Sequence, residues 1–428
     1  MSETSVWGFF DKLRENGFSI DDKGVISSLF DVTRIVAKQK DPFIASIKNS
    51  FSRIYANVVS SRKHIHLMLN VRNDVESYKK ILEALNNPTK GVVDNFRKYF
   101  EETSYTLKDL PFIKFYREDG GYYLTSSIYC TCIDSVCNAS YHRTMLIDEN
   151  KAVLRIVPRH LYRIYNTYSE MRKDTPVAII LGVHPVIELA SSTSPPYGVY
   201  ELYVANRLLD NKLAFVETPQ FKIPVPATAS IVVEGVISRD EEEWEGPFVD
   251  ILRLADKRRK QPVFKLSSIY VNKEFEPLVH AIVPGFEEHI LLMGYPREAL
   301  IWDSVRRVTD VKAVRLTPGS GGWLHAVIAI RKKNRGEAKN VVLAAFTGHP
   351  SLKSVIVVDD DIDVDNPLEV EWALATRFQA SRDLIIIKSA RGSTLDPSGD
   401  DGVVDKLGFD ATIPLEKPKE EFKKIEIP

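Results

Sequence analysis

From about residue 110 to residue 300 the chain is cut into short apolar or alternating runs: "GGYYLTSSIYCTCI", "TMLIDENKAVLRIV", "PVAIILGV", "LAFVETPQFKIPVPATASIVVEGVIS" and "PVFKLSSIYV". Gly, Pro and Asp-Glu-Asn turns separate them. Period-two alternation buries one face of a strand and wets the other, and turns at this spacing fold the strands back on each other. The stretch predicts an antiparallel barrel or sandwich, interrupted by one amphipathic helix, "RHLYRIYNTYSEMRK".

The flanks have a different texture. Before residue 110, "SVWGFFDKLRENG" and "NDVESYKKILEALNNPTKGVVDNFRKYFEE" predict three helices, with "HIHLMLNV" between them read as a buried strand. After "GYPREALIWDSVRRV", a linking helix, strands alternate with helices as in an α/β sheet. The polar residues from "SARGSTLDPSGDD" to the end predict an extended tail on a surface. The expected fold class is α+β in three parts: an N-terminal α/β domain at 1–109, a β-domain at 110–300, and a linking helix with a C-terminal α/β domain and tail at 301–428.

Composition excludes several classes. A chain of 428 residues with 44% hydrophobic and 27% charged residues is globular rather than disordered. Lys plus Arg number 57 against 58 Asp plus Glu, so no global basic field draws it to nucleic acid. No apolar run of membrane-spanning length occurs, and the first residues lack a signal peptide's basic start and apolar core. The reading is cytoplasmic, with no nucleic-acid or membrane partner. The three cysteines, Cys130, Cys132 and Cys137, read as reduced thiols on or near a strand.

Candidate chemistry lies in the middle stretch. In "EWEGPFVD", Glu245 and Asp250 flank a Gly-Pro turn with Phe248 between them, and such acids are either solvated loop charges or a facing pair. Two neighbouring carboxylates push their pKa values apart, so one of them can hold a proton near neutral pH. In "NASYHR", Asn138 and Arg143 fall on opposite faces of an extended strand unless a turn or bulge re-aims one. His160 enters a helix behind a Pro, as a cap or surface residue or as a ligand. Glu201 ends the loop "SSTSPPYGVYE". Together Asn138, His160 and Glu201 offer an amide oxygen, an imidazole and a carboxylate, which suit an octahedral Mg or Mn ion.

In this order, "NASYHR", "PRHLYRIY", "SSTSPPYGVYE", "VPATASIVVEG", "EGPFVD" and "HAIVPG" resemble the motif series of the UbiD family of decarboxylases, and "GGWLHAVIAI" and "VVDDDIDVDNPLEVEWALATR" resemble its C-terminal domain. The resemblance covers about residues 110 to 390. It implies a UbiD-like chain whose central domain is a split β-barrel of the flavin-reductase kind that binds prenylated FMN, and a C-terminal domain that builds a homo-oligomer, dimer or hexamer. A flavin prenyltransferase would supply the cofactor. By the same resemblance, Asn138, His160 and Glu201 hold Mn2+ (or Mg2+) against the cofactor phosphate, with K+ nearby. Ala139, Ser140, Arg143, Arg159, His160, Ser191, Ser192 and Ser194 would line the cofactor.

The resemblance makes Arg143, Glu245 and Asp250 the catalytic triad. Glu245 is then the expected proton donor, Arg143 orients the substrate carboxylate, and Phe248 keeps water out. Asp250 stands where ferulic acid decarboxylases of the family have Glu. At "FTGHPSLKS" the lysine that contacts the cofactor phosphate in those enzymes is missing, with Lys353 or His349 as conceivable replacements. Within the family, the motifs are most like those of archaeal members acting on a small phosphorylated α,β-unsaturated acid, trans-anhydromevalonate 5-phosphate, to give isopentenyl phosphate in the mevalonate route to isoprenoids. His142 or the run "KRRK" at 257–260 would then contribute cations, unless that run is only a solvated patch. The alternatives are an aromatic acid decarboxylase of the 4-hydroxybenzoate type and a flavin-binding protein without turnover.

Overall fold

The computed structural model describes residues 2–425. The chain forms two compact units, 1–292 and 293–428, whose boundary falls within the helix Glu287–Val305.

In the first unit a four-stranded sheet takes the order Asp21–Ile26, Phe43–Ile47, Arg53–Ala56 and Leu278–His280, so a strand near residue 280 completes the sheet of the first sixty residues. Its core is built by Val32, Phe43, Ile54, Phe115 and Ala281. The second sheet of this unit has nine strands. Its path runs Tyr123–Leu124, Thr144–Leu146, Lys151–Leu154, Arg259–Asn272, Ile231–Glu245, Thr175–Leu181, Ile128–Ile133 and Val136–Tyr141, and Phe100–Thr103 pairs with Arg259–Asn272. The middle stretch is thus the antiparallel sheet that its alternation predicts. Among the described residues its ladders form an open path.

The long hairpin of Ile231–Glu245 and Arg259–Asn272 has two kinds of sequence in one strand. "IVVEGVIS" is buried in the core with Val177, Ile179 and Phe264, whereas "RDEEEW" beyond it is mostly exposed before Glu245 turns inward again. A register shift between Ile237 and Glu242 separates the halves and re-aims the second.

The second unit carries a five-stranded sheet in the order Val311–Leu316, His325–Ile330, Ser354–Asp359, Val403–Ala411 and Leu384–Arg391. It is mixed α/β, with helices Glu337–Gly348 and Pro367–Arg377.

Four local expectations are corrected. "HIHLMLNV" is part of the helix Arg62–Leu69: the Ser61 side chain accepts the His64 N–H at its start, and Asn70 ends it in a left-handed conformation. Ile65, Met68 and Leu69 lie on its buried side, a helical spacing inside an apolar run too short to declare its period. The third expected helix shrinks to one turn, Phe96–Tyr99, because Val93–Asp94 and Phe100–Thr103 are drawn into sheets by distant strands. Cys132 and Cys137 form a disulfide: the hairpin turning at Asp134 and Ser135 sets them directly opposite, while Cys130 stays free and buried. Finally, Val403–Ala411 is an internal strand and not part of a surface tail; residues 426–428 of that tail lie outside the described residues. No helix among the described residues is long and apolar enough to cross a membrane.

Candidate active site

Strand Val136–Tyr141 ends at Tyr141 and the next begins at Thr144, so His142 and Arg143 lie in the break between the two strands. Arg143 then meets Glu245, the last residue of the long strand Ile231–Glu245. Its Nε donates to Glu245 Oε1 at 2.7 Å and its Nη2 to Oε2 at 2.8 Å. Glu245 is 0% exposed, so this is a forked, charge-assisted pair away from water. The Phe248 ring lies 4.7 Å from the guanidinium carbon and packs on Tyr123. Phe248 therefore supports the cation directly.

The turn between the acids is held from the loop before Tyr123. Buried Asp119 accepts the Phe115 and Tyr116 N–H groups with Oδ2 and the Val249 N–H with Oδ1. Gly120 donates its N–H to Pro247 O at 2.7 Å, and a Cβ there would overlap the Gly246 carbonyl, so only glycine allows this approach. The Gly246–Pro247 peptide is cis and Gly246 has φ +87°.

Asp250 is not an ion-pair partner of Arg143. Its Oδ1 caps its own turn, accepting the Leu252 and Leu254 N–H groups at 2.8 and 3.0 Å, and its Oδ2 has no protein partner among the described residues. Burial, followed by a lesser push from Asp256, raises its pKa above the ordinary carboxylate value against the two N–H bonds and Arg143. The second carboxylate on Arg143 is Asp256, at 2.8 Å from Nη2, which the sequence reading passed over. Asp256 also accepts both terminal nitrogens of Arg259. Burial raises its pKa, but Arg259 and Arg143 outweigh this and hold it at about 2. The signal available in the sequence was a third acid six residues beyond Asp250, followed by "KRR".

At the other end of strand Val136–Tyr141, the carboxylate of Glu201 opens the helix Glu201–Leu208 and is buried. Its Oε1 accepts from Asn138 Nδ2 at 3.0 Å and its Oε2 from the Ala139 N–H at 2.8 Å. His160, first residue of the helix His160–Glu170, lies with Nδ1 3.7 Å from Glu201 Oε1. Asn138 Oδ1 accepts from Ser140 Oγ. Three elements thus bring an amide, an imidazole and a carboxylate together.

The lining around them is unevenly satisfied. Ser191 Oγ is buried with no partner; the hydroxyls of Thr125, Ser126 and Ser127 are likewise buried and unpartnered, but at the opposite end of the hairpin, beside His142. Buried hydroxyls without partners cost free energy unless a ligand completes them. Ser192 Oγ bonds the Leu189 and Leu292 carbonyls, and Arg159, on the surface, donates to Ser194 Oγ at 3.1 Å.

Some expected cations are ruled out. His142 sits between Ser140 Oγ and the Arg155 carbonyl, and burial lowers its pKa to about 4, so it is neutral at pH 7. In "KRRK", Arg259 belongs to Asp256 and Arg258 lies over Trp244. Lys353 pairs with Asp396, and His349 Nε2 lies 3.2 Å from the Trp323 carbonyl.

Residues 88–287 match the model of the 3-octaprenyl-4-hydroxybenzoate carboxy-lyase Rift-related domain, and residues 290–411 that of the C-terminal domain of the same carboxy-lyase. The chain is 43% identical to the anhydromevalonate phosphate decarboxylase of Aeropyrum pernix, over 97% of this chain and 94% of that protein. It is 38% identical to the protein of the same name from Methanothermobacter thermautotrophicus, over 97% and 98%. Among solved structures it is similar to the UbiD-class enzyme HmfF from Pelotomaculum thermopropionicum in complex with FMN. That match has a TM-score of 0.93 and 33% identity, and covers 99% of this chain and 97% of that one. The 3,4-dihydroxybenzoic acid decarboxylase of Klebsiella pneumoniae shares the fold, with a TM-score of 0.90 at 20% identity over 99% and 97% of the two chains.

Proposed function

The chain belongs to the UbiD family, and from that membership we propose that it is a non-oxidative, prenylated-FMN-dependent decarboxylase that converts trans-anhydromevalonate 5-phosphate to isopentenyl phosphate and CO2. The observation that carries the substrate is the 43% identity, spread over nearly the whole length of both chains, to a decarboxylase of that name. The nine-stranded sheet corresponds to the family's split barrel, and the protein works as a homo-oligomer that receives its cofactor from a flavin prenyltransferase.

The side chains fit the cofactor. Unpartnered Ser191 Oγ and the helix N-terminus at Glu201 suit a phosphate beside a cation. Asn138, His160 and Glu201 would hold Mn2+ or Mg2+, with K+ nearby, and Ala139, Ser140, Arg159, Ser192 and Ser194 complete the lining. When bound, the prenylated flavin supplies the electron sink for carbon–carbon cleavage.

The chain's own groups divide the remaining work. Arg143 gives Nε and Nη2 to Glu245 and Asp256, which leaves Nη1 for the substrate carboxylate. Glu245, with both oxygens accepting from Arg143, acts as the carboxylate that fixes the guanidinium. On this reading the donor is Asp250, where the sequence alone suggests Glu245; the doubly occupied carboxylate of Glu245 supports the change. Burial raises the Asp250 pKa, and its unpartnered Oδ2 would be the oxygen that delivers a proton to the carbon that CO2 leaves.

The test is CO2 release by enzyme carrying prenylated FMN, manganese and potassium, with trans-anhydromevalonate 5-phosphate beside 4-hydroxybenzoate and cinnamate. Turnover of the phosphorylated acid alone is expected. Turnover of an aromatic acid in its place would overturn the substrate assignment and keep the chemistry.

A further inference from the structure

Arg155 has no role in the site described so far. It follows the strand Lys151–Leu154, and its N–H donates to the Arg143 carbonyl, which continues the register Leu154↔Thr144 by one residue. Arg155 and Arg143 therefore stand directly opposite each other, and their side chains leave the same face of the sheet. Like charges so placed repel unless each is compensated. Arg143 is compensated twice, by Glu245 and Asp256.

Arg155 is in contact with no acid; Asp256 and Glu245 act on it only through space, against burial, Arg259 and Arg143. It makes no ion pair among the described residues. Its Nη1 reaches only the Ile156 carbonyl at 3.0 Å and Gln261 Oε1 at 3.4 Å, and Nε and Nη2 have no acceptor there. The side chain is half-buried, and its pKa is lowered by burial first and then by Arg259, so the charge is poorly solvated and sits among the other site charges. The nearby carboxylates are occupied: Glu245 by Arg143, and Asp256 by Arg143 and Arg259. A half-buried guanidinium with no contacting carboxylate, and with Nε and Nη2 lacking acceptors, is costly in the free protein and is balanced when an anion arrives.

We propose that Arg155 binds the second anionic group of the substrate, a phosphate monoester, and so selects a phosphorylated acid over a neutral-tailed one. This rests on the decarboxylase reading above. Arg143 Nη1 takes the substrate carboxylate, and the fork of Arg155 Nε and Nη2 presents two parallel N–H groups of the kind that grip phosphate oxygens. Gln261 orients the fork through Nη1 and is itself held by the Ile156 N–H on its Oε1 at 2.8 Å. An aromatic acid without a second anion would leave Arg155 with no contacting anion.

The experiment compares wild-type holoenzyme with Arg155→Gln and Arg155→Lys. It measures flavin content by absorbance, kcat and KM for trans-anhydromevalonate 5-phosphate, and binding of methyl phosphate by calorimetry. For Arg155→Gln a rise in KM of at least tenfold is expected, with a matching loss of methyl phosphate affinity, kcat within about threefold and flavin content unchanged. Arg155→Lys should recover part of the loss. An unchanged KM, or flavin content that falls in step with activity because Arg155 serves the cofactor, overturns the proposal. If wild-type enzyme fails to turn over the phosphorylated acid, the functional reading falls. Calorimetry then still decides this one: Arg155-dependent methyl phosphate binding supports it, and binding that is absent or indifferent to Arg155 refutes it.

Discussion

Replacing Asp250 by Asn separates the two acids of the "EGPFVD" turn. The change is isosteric. The amide oxygen can still accept the Leu252 and Leu254 N–H groups, and only the unpartnered Oδ2 becomes NH2. No hydrogen bond is lost, so stability should shift by no more than about 0.5 kcal/mol. Loss of a positioned general acid typically costs about 100- to 10,000-fold in rate, or about 2.7 to 5.4 kcal/mol of barrier. Glu245→Gln behaves differently, because its new NH2 group faces a guanidinium donor in a site that is 0% exposed. Breaking a buried ion pair in this way costs about 3 to 5 kcal/mol of stability. The assay is steady-state decarboxylation beside a thermal melt for both variants, repeated across pH. Because burial raises the Asp250 pKa, wild-type kcat should be flat at low pH and fall as pH rises through that value, and the limb should vanish in Asp250→Asn. If Asp250→Asn keeps kcat within threefold while Glu245→Gln melts normally and is dead, the donor is Glu245 and the reasoning from the Arg143 fork is wrong.

Three further outcomes follow from the geometry. Glu201→Gln removes the charge from the cation site and should weaken manganese binding by about tenfold or more, read by metal content after dialysis, with flavin retention falling in parallel. Gly120→Ala pushes a methyl group into the Gly246 carbonyl and should cost about 1 to 3 kcal/mol in a denaturant titration, with lower activity as the turn shifts; full activity and stability would show that this approach is not required. His280, buried, lies with Nδ1 2.8 Å from Glu188 and Nε2 2.9 Å from Glu288. Burial lowers its pKa, but the two carboxylates outweigh this and raise it from 6.5 to about 10. A raised histidine pKa gives stability that is complete below about pH 6.5 and lost as pH rises through about 10, so the melting temperature should drop over that window in wild type and less in His280→Gln.

The sequence by itself determined the elements whose pattern is local. Alternation and turns marked the antiparallel middle, helical spacing marked Val6–Glu15, and the ordered motifs carried the family and the candidate residues. It misread "HIHLMLNV" and the segment after Gly91, where a short apolar run fits a helix and a strand equally and the choice rests with remote neighbours. Only the tertiary structure decided how the charges divide. One row of the sheet sets Arg143, Arg155 and Gln261 side by side from segments up to 118 residues apart, and Asp256 reaches Arg143 across 113 residues. Which acid clamps the guanidinium, which keeps a free oxygen and which arginine is left without a contacting acid all follow from strand register and burial. Those are properties of chains packed against each other, and no spacing along a single chain encodes them.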